Sequence, residues 1–578
     1  MLPEVDKYMV ITTERADPKA FKSALDVPDA MDSSWTVPGI FRDAVQKYGS
    51  RPFLEAVQGV SETYDQTWRS VTQLAGCLSA IGVCSQQHVL ILLPNTHLAV
   101  HSWLAVNLIN AVDVSINTGY KGQSLEHAVN LSAAEVILTT SDHLAVILRS
   151  ESRFTSLRKV ILLDDALSAL SLSDTRLDVI SIHDVVPASP ECMGMCTAMP
   201  WDIASVIYTS GTSGPAKGVM MPHGQVSLLA RLSATNTGLR SDDIFFSFYP
   251  MYHMAGKFMS VLATMSAGGK IVIDVGFTPS EWLSQIRAYH ATVTAAHGPM
   301  LEMVYAQPPS RSDRDHQLRV IRTAPFPKRI ANAFEERFGV RGLEVWGMTE
   351  IGVACWANTR EPLRVGSCGR VDTNWYEFAV VDPITDMPLP VGQVGEFIVR
   401  PRVPWTMMQG YLGMPEKTLE AWRNLWFHTG DCGYVDAEGY VYFIDRAKER
   451  IRRRAENISA GDIEVAALAH PMVKEAAALG VPSGFEGDDD ILLCVVMRPE
   501  SEFEPVELLK FLVSELPHFM VPRYLRKMSA LPRTVTGKLQ RVKLNDIVSE
   551  PDVWDRKHAR VALRDLSADD GNTSTKRE

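Results

Sequence analysis

The sequence predicts an α/β fold with a large, multi-sheet N-terminal domain and a small α+β C-terminal domain, and three observations carry this prediction. The chain has 578 residues, which is too long for one ordinary core. Short β-branched runs alternate with helix-like segments through most of its length, a pattern typical of parallel sheets covered by helices. After about Asp445 the pattern of helix-like and strand-like runs changes, and the remaining segment is small enough to be a domain of its own.

The predicted elements follow from these runs in chain order. In the large domain, strands are predicted at "AEVILTT", "KVILLD", "KIVIDV" and "LRVIRTA", and helices at "SLEHAVNLSA", "SEWLSQIRAY" and "RIANAFEERFG". The most apolar stretch, residues 88–116, contains too many polar residues for a bilayer span and is interpreted as a strand, a turn and a buried helix. In the small domain, helices are predicted at "GDIEVAALAHP" and "PVELLKFLVSEL", with strands at "VKEAAALGVP" and "ILLCVVMRP". The predicted domains are 1–445 and 446–560, and the polar residues 561–578 are expected to be a disordered tail.

The composition favours a cytoplasmic enzyme that acts on small molecules. It is 46% hydrophobic and 22% charged, and its net charge of -11 disfavours nucleic-acid binding, which needs a basic face. The N-terminus carries acidic residues and no long apolar stretch, so we expect neither a secretory signal nor an integral membrane segment. The eight cysteines show no C-x-x-C pair and are expected to be reduced thiols. A homodimer is left open.

A stretch rich in Gly, Ser and Thr, "YTSGTSGPAKGV" from Tyr208 to Val219, is predicted to bind phosphate. It is not a Walker loop, because Ala216 and Gly218 stand where that motif needs glycine and a hydroxyl. The hydroxyl side chains and glycine amides that could hold phosphate belong to Thr209, Ser210, Gly211, Thr212, Ser213 and Gly214. Lys217 either contacts phosphate or closes the loop. "IASVIYT" before the loop is a predicted strand and "HGQVSLLARLSA" after it a predicted helix, so the loop should lie beyond the carboxyl end of a strand.

Five motifs together resemble the adenylate-forming, or AMP-binding, superfamily of acyl-CoA synthetases, peptide-synthetase adenylation domains and luciferases. They are "YTSGTSGPAKG", "VWGMTE", "FHTGDCGYVD", "FIDRAKERIRRRAENISAGDIE" and "LPRTVTGKLQR", in the family's order and approximate spacing. The resemblance covers about residues 41–544 and implies the adenylate-forming enzyme fold, in which the C-terminal domain is a mobile lid. Features such as "INTGYKG" and "FHTGDCGY" look most like bacterial carnitine-type and medium-chain acyl-CoA ligases.

The resemblance implies an ATP- and Mg²⁺-dependent acid:CoA ligase that works through an acyl-adenylate. Two alternatives remain open: transfer to the phosphopantetheine of a carrier protein, and an inactive nucleotide-binding paralogue. The chain has no fused carrier domain with a serine motif, which favours free coenzyme A. Ala455 stands where the family often has glycine near the pantetheine arm, which counts against coenzyme A. The run "KERIRRR" counts for it, because clustered arginines suit its phosphates.

The catalytic groups are implied by the resemblance. Lys538 would supply the positive charge that lets a carboxylate approach a polyphosphate, although an exposed lysine after a glycine turn is the structural alternative. Thr349 would hydrogen-bond the region of the α-phosphate. Glu350 and Thr212 would hold Mg²⁺, a hard cation that prefers oxygen ligands. The structural alternative for Thr349 and Glu350 is an ordinary pair at a helix N-terminus.

The resemblance also implies the contacts to the nucleoside and the hinge of the lid. Trp346, where the family usually has Tyr, would stack on adenine. Asp431 would accept from the ribose hydroxyls, unless it is an ordinary turn aspartate before Gly433. Arg446 would be a second ribose or phosphate contact. Lys448 would be the hinge about which the lid rotates between the two half-reactions.

The acid pocket is expected at three further segments. His253 matches an aromatic or histidine gate position, against the alternative of a histidine satisfied within the structure. The other residues expected to line the pocket are Tyr252, Phe258, His297, Gly298, Ala324 and Pro325. This mostly apolar lining favours an uncharged, bulky aliphatic or alicyclic acid, and no carboxylate is evident for a cationic one, although aromatic residues could enclose a quaternary ammonium group.

Overall fold

A computed structural model describes residues 21–164, 175–189, 198–209, 216–446, 451–453, 456–458, 460–485, 488–499, 502–532, 539 and 541–566. The chain divides into two compact units. The large unit comprises Met1–Thr118, Val129–Tyr208 and Lys217–Ala447, and the small unit comprises Gly119–Ala128, Thr209–Ala216 and Lys448–Glu578. The mixed α/β class with several sheets is confirmed, while the domain boundary at residue 445 stays a prediction.

The strands up to residue 446 form three sheets. They are β1 Pro52–Ala56, β2 Ser61–Thr63, β3 His88–Leu92, β4 Val112–Ser115, β5 Val136–Thr139, β6 Lys159–Leu162, β7 Asp178–Ser181, β8 Ile203–Thr209, β9 Lys217–Pro222, β10 Ile244–Ser247, β11 Lys270–Ile273, β12 Val293–Ala295, β13 Val320–Thr323, β14 Arg341–Met348, β15 Gly352–Trp356, β16 Arg370–Val371, β17 Tyr376–Val381, β18 Gly395–Pro401, β19 Gly410–Tyr411, β20 Phe427–Val435 and β21 Val441–Arg446.

The helices of the same part of the chain are α1 Val37–Tyr48, α2 Tyr64–Ala80, α3 His97–Leu108, α4 Gly122–Ser132, α5 Ser141–Ser150, α6 His223–Thr237, α7 Met254–Gly256, α8 Ala263–Ala267, α9 Trp282–Ala288, α10 Gly298–Tyr305, α11 Ala331–Phe338 and α12 Pro415–Ala421. A π-helix, Lys257–Leu262, joins α7 to α8. Short 3₁₀ turns lie at Ser33–Trp35, Glu151–Arg153, Ile182–Asp184 and Arg423–Leu425. No described helix is long and apolar enough to cross a membrane.

Two of the sheets are largely parallel, as the alternation of strands and helices predicts. The nine-stranded sheet has the order β16-β15-β14-β13-β12-β10-β11-β1-β2, and the eight-stranded sheet has the order β19-β9-β8-β4-β3-β5-β6-β7. Strands β10, β12, β13 and β14 run parallel to their neighbours within this series. Their carboxyl ends therefore meet at one edge of the nine-stranded sheet, where ligands of parallel sheets usually bind.

Three features were not predicted. After the phosphate loop the chain forms strand β9 before helix α6 begins, whereas the sequence had been interpreted as passing directly into the helix. Residues 88–116 form the expected strand and buried helix, β3 and α3, and then a second strand, β4. A third sheet, β17-β18-β20-β21, is antiparallel throughout and carries two of the candidate binding residues, Asp431 and Arg446.

The small unit has its own sheets and apolar core. Its strands are β22 Ile451–Arg453, β23 Glu456–Ile458, β24 Val473–Pro482, β25 Asp489–Met497, β26 Tyr524–Lys527 and β27 Trp554–Asp555, and its helices are α13 Ala460–Leu468, α14 Pro505–Glu515 and α15 Leu563–Leu566, with a 3₁₀ helix at Arg541–Ser549. Strands β24 to β27 form one sheet, and Ile463 of α13, Leu509 of α14 and Leu493 of β25 share its core. Leu563 and Leu566, within the predicted tail, pack against this core, and residues 567–578 lie outside the described residues.

Candidate functional site

The end of β14 and the turn that follows it place three of the candidate residues together. Trp346 lies on β14, and Thr349 and Glu350 form the turn to the antiparallel strand β15, where Met348 pairs with Gly352. Thr349 and Glu350 are buried, at 6% and 5% exposed. This turn belongs to a β-hairpin, so the structural alternative of a helix N-terminus is wrong for this pair.

The backbone of the turn is held by hydrogen bonds from two distant segments. The side-chain amide Nε2 of Gln225, on α6, donates to the carbonyl oxygens of Thr349 at 2.9 Å and Glu350 at 3.2 Å. The backbone N–H of Met408 donates to the Glu350 carbonyl oxygen at 2.8 Å. The backbone that carries the Glu350 side chain is therefore held in place by its surroundings before any ligand binds.

The Glu350 carboxylate is linked to Lys217 through Tyr411, which sequence analysis missed. The phenol of Tyr411 donates to Glu350 Oε1 at 2.9 Å. Tyr411 lies on β19, which pairs with β9, and Lys217 Nζ lies 4.4 Å from the centre of the Tyr411 ring. A cation over an aromatic face that hydrogen-bonds a carboxylate forms one polar cluster. The sequence carries no clear signal of it, since Tyr411 follows Lys217 by almost two hundred residues.

Glu350 fits a magnesium ion held mainly by substrate. No group of three or more His, Cys, Asp or Glu that could hold a metal occurs among the described residues. Mg²⁺ usually binds one or two carboxylates and takes its other ligands from phosphates and water. A single buried carboxylate with one oxygen oriented by Tyr411 suits that requirement. Thr212, the second predicted ligand, lies outside the described residues.

Trp346 contacts Asp431, the residue predicted to bind ribose. The indole Nε1 donates to Asp431 Oδ2 at 2.9 Å, and both residues are buried. The rings of Phe378 and Phe397 meet the indole edge-on, with centres 5.8 Å and 5.1 Å away. The structure thus brings the predicted adenine and ribose contacts together, although stacking of Trp346 on adenine stays a prediction.

The backbone around Asp431 is oriented by Glu396, a second residue that sequence analysis missed. Glu396 Oε1 accepts from the Gly430 N–H at 3.0 Å, and Oε2 lies 3.1 Å from His428 Nδ1. Burial raises the pKa of this carboxyl, but His428, the Gly430 N–H and Arg423 together outweigh burial, so the pKa lies below its usual value. Asp431 pairs with Arg446 across β20 and β21, and the Arg446 side chain lies outside the described residues.

Replacing Trp346 with Phe is expected to raise the KM for ATP by about tenfold. The substitution keeps an aromatic ring but removes the N–H that orients Asp431, and hydrogen bonds to charged groups contribute about 1.5–3 kcal/mol. Steady-state kinetics with varied ATP tests this, and the KM for the acid should not change. Trp356→Phe is the matched control, because its indole donates to Val353 O in the same hairpin and not to a carboxylate. Equal effects of the two substitutions on the KM for ATP would contradict the assignment.

His253 and its neighbours follow β10, at the same edge of the sheet. The His253 Nδ1 accepts from the Ala255 N–H at 3.1 Å and so caps α7, which agrees with the structural alternative for this residue. Phe258, on the π-helix, is completely buried and its ring lies 5.9 Å from that of Trp103. Tyr252 is half-buried. The gate role of His253 and the acid contacts of Tyr252 and Phe258 stay predictions.

The segments after β12 and β13 do come together. A side chain at Gly298 would lie about 3.1 Å from the Pro325 carbonyl oxygen, so the glycine allows the two segments to approach closely. The His297 ring meets Tyr249 edge-on at 4.9 Å. Ala324 and Pro325 are joined by a cis peptide bond. The predicted pocket residues of these two segments therefore lie side by side.

Several predicted residues fall at or beyond the limits of the described chain. Thr209 ends β8 and Lys217 begins β9, so these two residues bracket the phosphate loop. The predicted residues that lie outside the described residues are Ser210, Gly211, Thr212, Ser213, Gly214, Lys448, Ala455 and Lys538.

Comparison with known proteins gives consistent matches over most of the chain. A family model described as AMP-binding enzyme matches residues 41–412, and one described as AMP-binding enzyme C-terminal domain matches residues 462–538. Crotonobetaine/carnitine–CoA ligase of Escherichia coli is 30% identical over 515 residues, covering 87% of this chain and 97% of that protein. The solved structure of o-succinylbenzoate CoA synthetase from Bacillus subtilis has a TM-score of 0.73 at 22% identity, covering 88% of this chain and 98% of its own. Amide bond synthetase from Marinactinospora thermotolerans has a TM-score of 0.75 at 23% identity, covering 89% and 99%.

Proposed function

The chain belongs to the AMP-binding enzyme family, and from this premise we propose that it is an acid–thiol ligase that activates a carboxylic acid with ATP and transfers the acyl group to coenzyme A. Family membership confirms the resemblance carried by the five motifs. A relative that is 30% identical over 87% of this chain is named as a CoA ligase.

The reaction has two half-reactions at one site. A carboxylate oxygen attacks the α-phosphorus of ATP, the bond from that phosphorus to the β-phosphate bridge breaks, and pyrophosphate leaves. The sulfur of coenzyme A then attacks the acyl carbon, the thiol proton passes to solvent, and the bond to AMP breaks. Because the first step brings two anions together, positive charge near the α-phosphate is its main requirement.

The observation that carries the proposal is the pair of buried carboxylates linked through β14. Glu350 is oriented by Tyr411 beside Lys217, and Asp431 is oriented by Trp346. Trp346 lies only four residues before Glu350 along the chain. One carboxylate suits a metal on the phosphates and the other suits ribose hydroxyls, so a single nucleotide can bridge them.

The remaining parts of the proposal concern the metal, the lid, the cellular location and the partners. Mg²⁺, when bound at Glu350, would supply Lewis-acid stabilisation of the polyphosphate charge. Lys538 and Thr212 would act on the phosphates, Arg446 would be a second ribose or phosphate contact, and Lys448 would be the hinge of the C-terminal lid. We place the enzyme in the cytoplasm, with a small-molecule acid, ATP and coenzyme A as its partners and a homodimer as an open alternative.

Exchange of labelled pyrophosphate into ATP tests the first half-reaction. We expect exchange that depends on an added carboxylic acid, and we expect AMP and an acyl-CoA of the correct mass when coenzyme A is added. Carnitine, named for the relative, belongs in the acid panel. Exchange without transfer to coenzyme A, but with transfer to a carrier protein, would support the alternative acceptor. Nucleotide binding without any exchange would support an inactive paralogue.

Replacing Glu350 with Gln is expected to lower kcat/KM for ATP by about 100-fold and to raise the Mg²⁺ concentration that gives half the maximal rate. Glutamine keeps the shape of the turn but carries no charge for the metal. Tyr411→Phe is the matched control, since it removes only the hydroxyl that orients the carboxylate. It should lower kcat/KM for ATP by about tenfold. A Glu350→Gln enzyme with wild-type Mg²⁺ dependence would contradict the metal assignment.

A further inference from the structure

Arg322 is a buried arginine in the middle of the nine-stranded sheet. It lies on β13, where Ala295 of β12 and Leu343 of β14 are its register partners. Only 2% of the residue is exposed. Arginine is almost never buried to this extent unless its charge is paired.

Most of the hydrogen-bonding capacity of this guanidinium is unused in the described part of the chain. Nη2 donates to the Met259 carbonyl oxygen at 2.6 Å, and the centre of the Phe245 ring lies 5.1 Å from Cζ. Nε and Nη1 have no hydrogen-bond partner among the described residues. Among the described residues, one carbonyl oxygen and one aromatic face are thus the contacts of a guanidinium that has five N–H donors.

The guanidinium nevertheless keeps its charge at neutral pH. Burial lowers the pKa of Arg322 to about 10, which is still well above 7. A buried charge without a counter-ion is costly, and that cost is removed when a group of opposite charge binds. Arg322 therefore has the properties of a binding group for an anion.

The surroundings of Arg322 are those of the predicted acid pocket. Arg322 lies two residues before Ala324, the predicted pocket residue that directly follows the end of β13. Met259, which accepts its hydrogen bond, follows Phe258 on the π-helix. Tyr249 lies near enough to Arg322 to oppose the lowering of its pKa by burial, and the Tyr249 ring contacts His297. The sequence had been interpreted as a mostly apolar pocket, and Arg322 adds a positive charge to it.

We propose that Arg322 binds a second carboxylate of the substrate, so that the acid is a dicarboxylate with one end adenylated and the other paired with this guanidinium. The inference rests on the proposed ligase function and names its substrate class. A carboxylate accepts charge-assisted hydrogen bonds from the unpaired N–H groups, whereas an apolar chain end leaves them buried and unpaired. An acid with a trimethylammonium group would bring a second positive charge towards Arg322.

The wild-type enzyme provides the first test. Malonate, succinate, glutarate, adipate and phthalate are each compared with the monocarboxylate of matching skeleton (propionate, butyrate, valerate, hexanoate and 2-methylbenzoate) in acid-dependent pyrophosphate exchange. We expect at least one dicarboxylate to exceed its partner by about 100-fold in kcat/KM, because sites built around buried polar groups reject analogues that lack the matching group. Monocarboxylates or carnitine that react as well as every dicarboxylate would overturn the inference and leave the ligase function intact.

Substitution of Arg322 provides the second test. Arg322→Met should remove the preference for the dicarboxylate, by about 100-fold, while the monocarboxylate rate and the KM for ATP stay within about threefold. Arg322→Lys, which keeps a charge but not the planar fork, should fall between the two. Arg337→Met is the matched control, because Arg337 Nε already pairs with Asp313 at 2.7 Å, and its loss should leave acid preference unchanged. An Arg322→Met enzyme that retains the preference would overturn the assignment to this residue.

Calorimetric titration separates failure of this inference from failure of the ligase function. The wild-type protein, with ATP present, should bind the preferred dicarboxylate at least about tenfold more tightly than its monocarboxylate partner. This measurement does not require turnover, so it also decides the matter if no acid supports exchange or if Arg322→Met does not fold. Equal affinities for both acids would overturn the inference in either case.

Discussion

Lys538→Ala is expected to lower the rate of acyl-adenylate formation by about 10²–10³-fold, while thioester formation from preformed acyl-adenylate largely survives. In the proposed reaction this lysine supplies positive charge near the reacting phosphate. Its charge offsets the repulsion between the incoming carboxylate and the polyphosphate, which exists only in the first half-reaction. Once pyrophosphate has left, the acyl carbon is attacked by a thiol and the need for this cation is gone.

Single-turnover assays of the two steps measure this difference. Pyrophosphate exchange reports the first step, and release of AMP from added acyl-adenylate and coenzyme A reports the second. Lys527→Ala is the matched control, since Lys527 is an exposed lysine on β26 of the same unit. Equal losses in both half-reactions would show that Lys538 has a structural or general binding role and would remove it from the adenylation step.

The strands and helices with strong local patterns could be predicted from the sequence. All six runs interpreted as strands of the large domain are strands, at β3, β5, β6, β8, β11 and β13. The pattern of β9 is weaker, because "KGVMMP" has methionines where β-branched residues would be expected and ends in a proline. The antiparallel sheet that carries Asp431 depends on pairing between segments far apart in the chain, which local periodicity cannot reveal.

In the candidate site too, residues in distinctive local motifs could be predicted, whereas residues that act through distant contacts could not. Motifs indicated Trp346, Glu350 and Asp431, because their residue types and neighbours are distinctive. Tyr411 and Gln225 act only through contacts with residues 61 and 124–125 positions away, so nothing near them in sequence points to Glu350. Arg322 was part of a correctly predicted strand, but an arginine on a strand usually faces solvent, and its burial follows from the position of β13 inside the sheet.

Lys257→Met is expected to destabilise the large unit by about 3–5 kcal/mol, because it leaves a buried carboxylate without its counter-ion. Lys257 and Asp113 are both completely buried and form an ion pair. Ser205 Oγ donates to Asp113 Oδ2 and Ser115 Oγ to Oδ1, each at 2.6 Å, and Lys257 Nζ donates to Ser115 Oγ at 2.8 Å. Burial lowers the pKa of Lys257, with Asp113 opposing that shift, so the pair depends on both partners.

Urea unfolding followed by tryptophan fluorescence measures the loss, since the Trp103 ring centre lies 5.7 Å from Lys257 Nζ. Lys270→Met is the matched control, because the ion pair of Lys270 with Glu55 is partly exposed and should contribute about 1 kcal/mol or less. The double substitution Lys257→Met with Asp113→Leu removes both charges and should recover most of the stability. A single Lys257→Met protein as stable as the wild type would contradict the ion pair.

The comparison of the single and double substitutions also tests whether the Lys257–Asp113 ion pair affects the candidate site. Ser205 lies on β8, whose last residue, Thr209, begins the phosphate loop, and Lys257 lies on the π-helix beside Phe258 of the predicted acid pocket. Asp113, on β4, therefore joins two elements: its ion pair with Lys257 holds the π-helix that is predicted to line the pocket, and the hydrogen bond from Ser205 holds β8, the strand that leads to the phosphate loop. If its role is to position these two elements, the double substitution should restore stability but leave the KM values for ATP and acid raised by several-fold. If the double substitution restores both the stability and the KM values to those of the wild type, the ion pair has a role in stability alone.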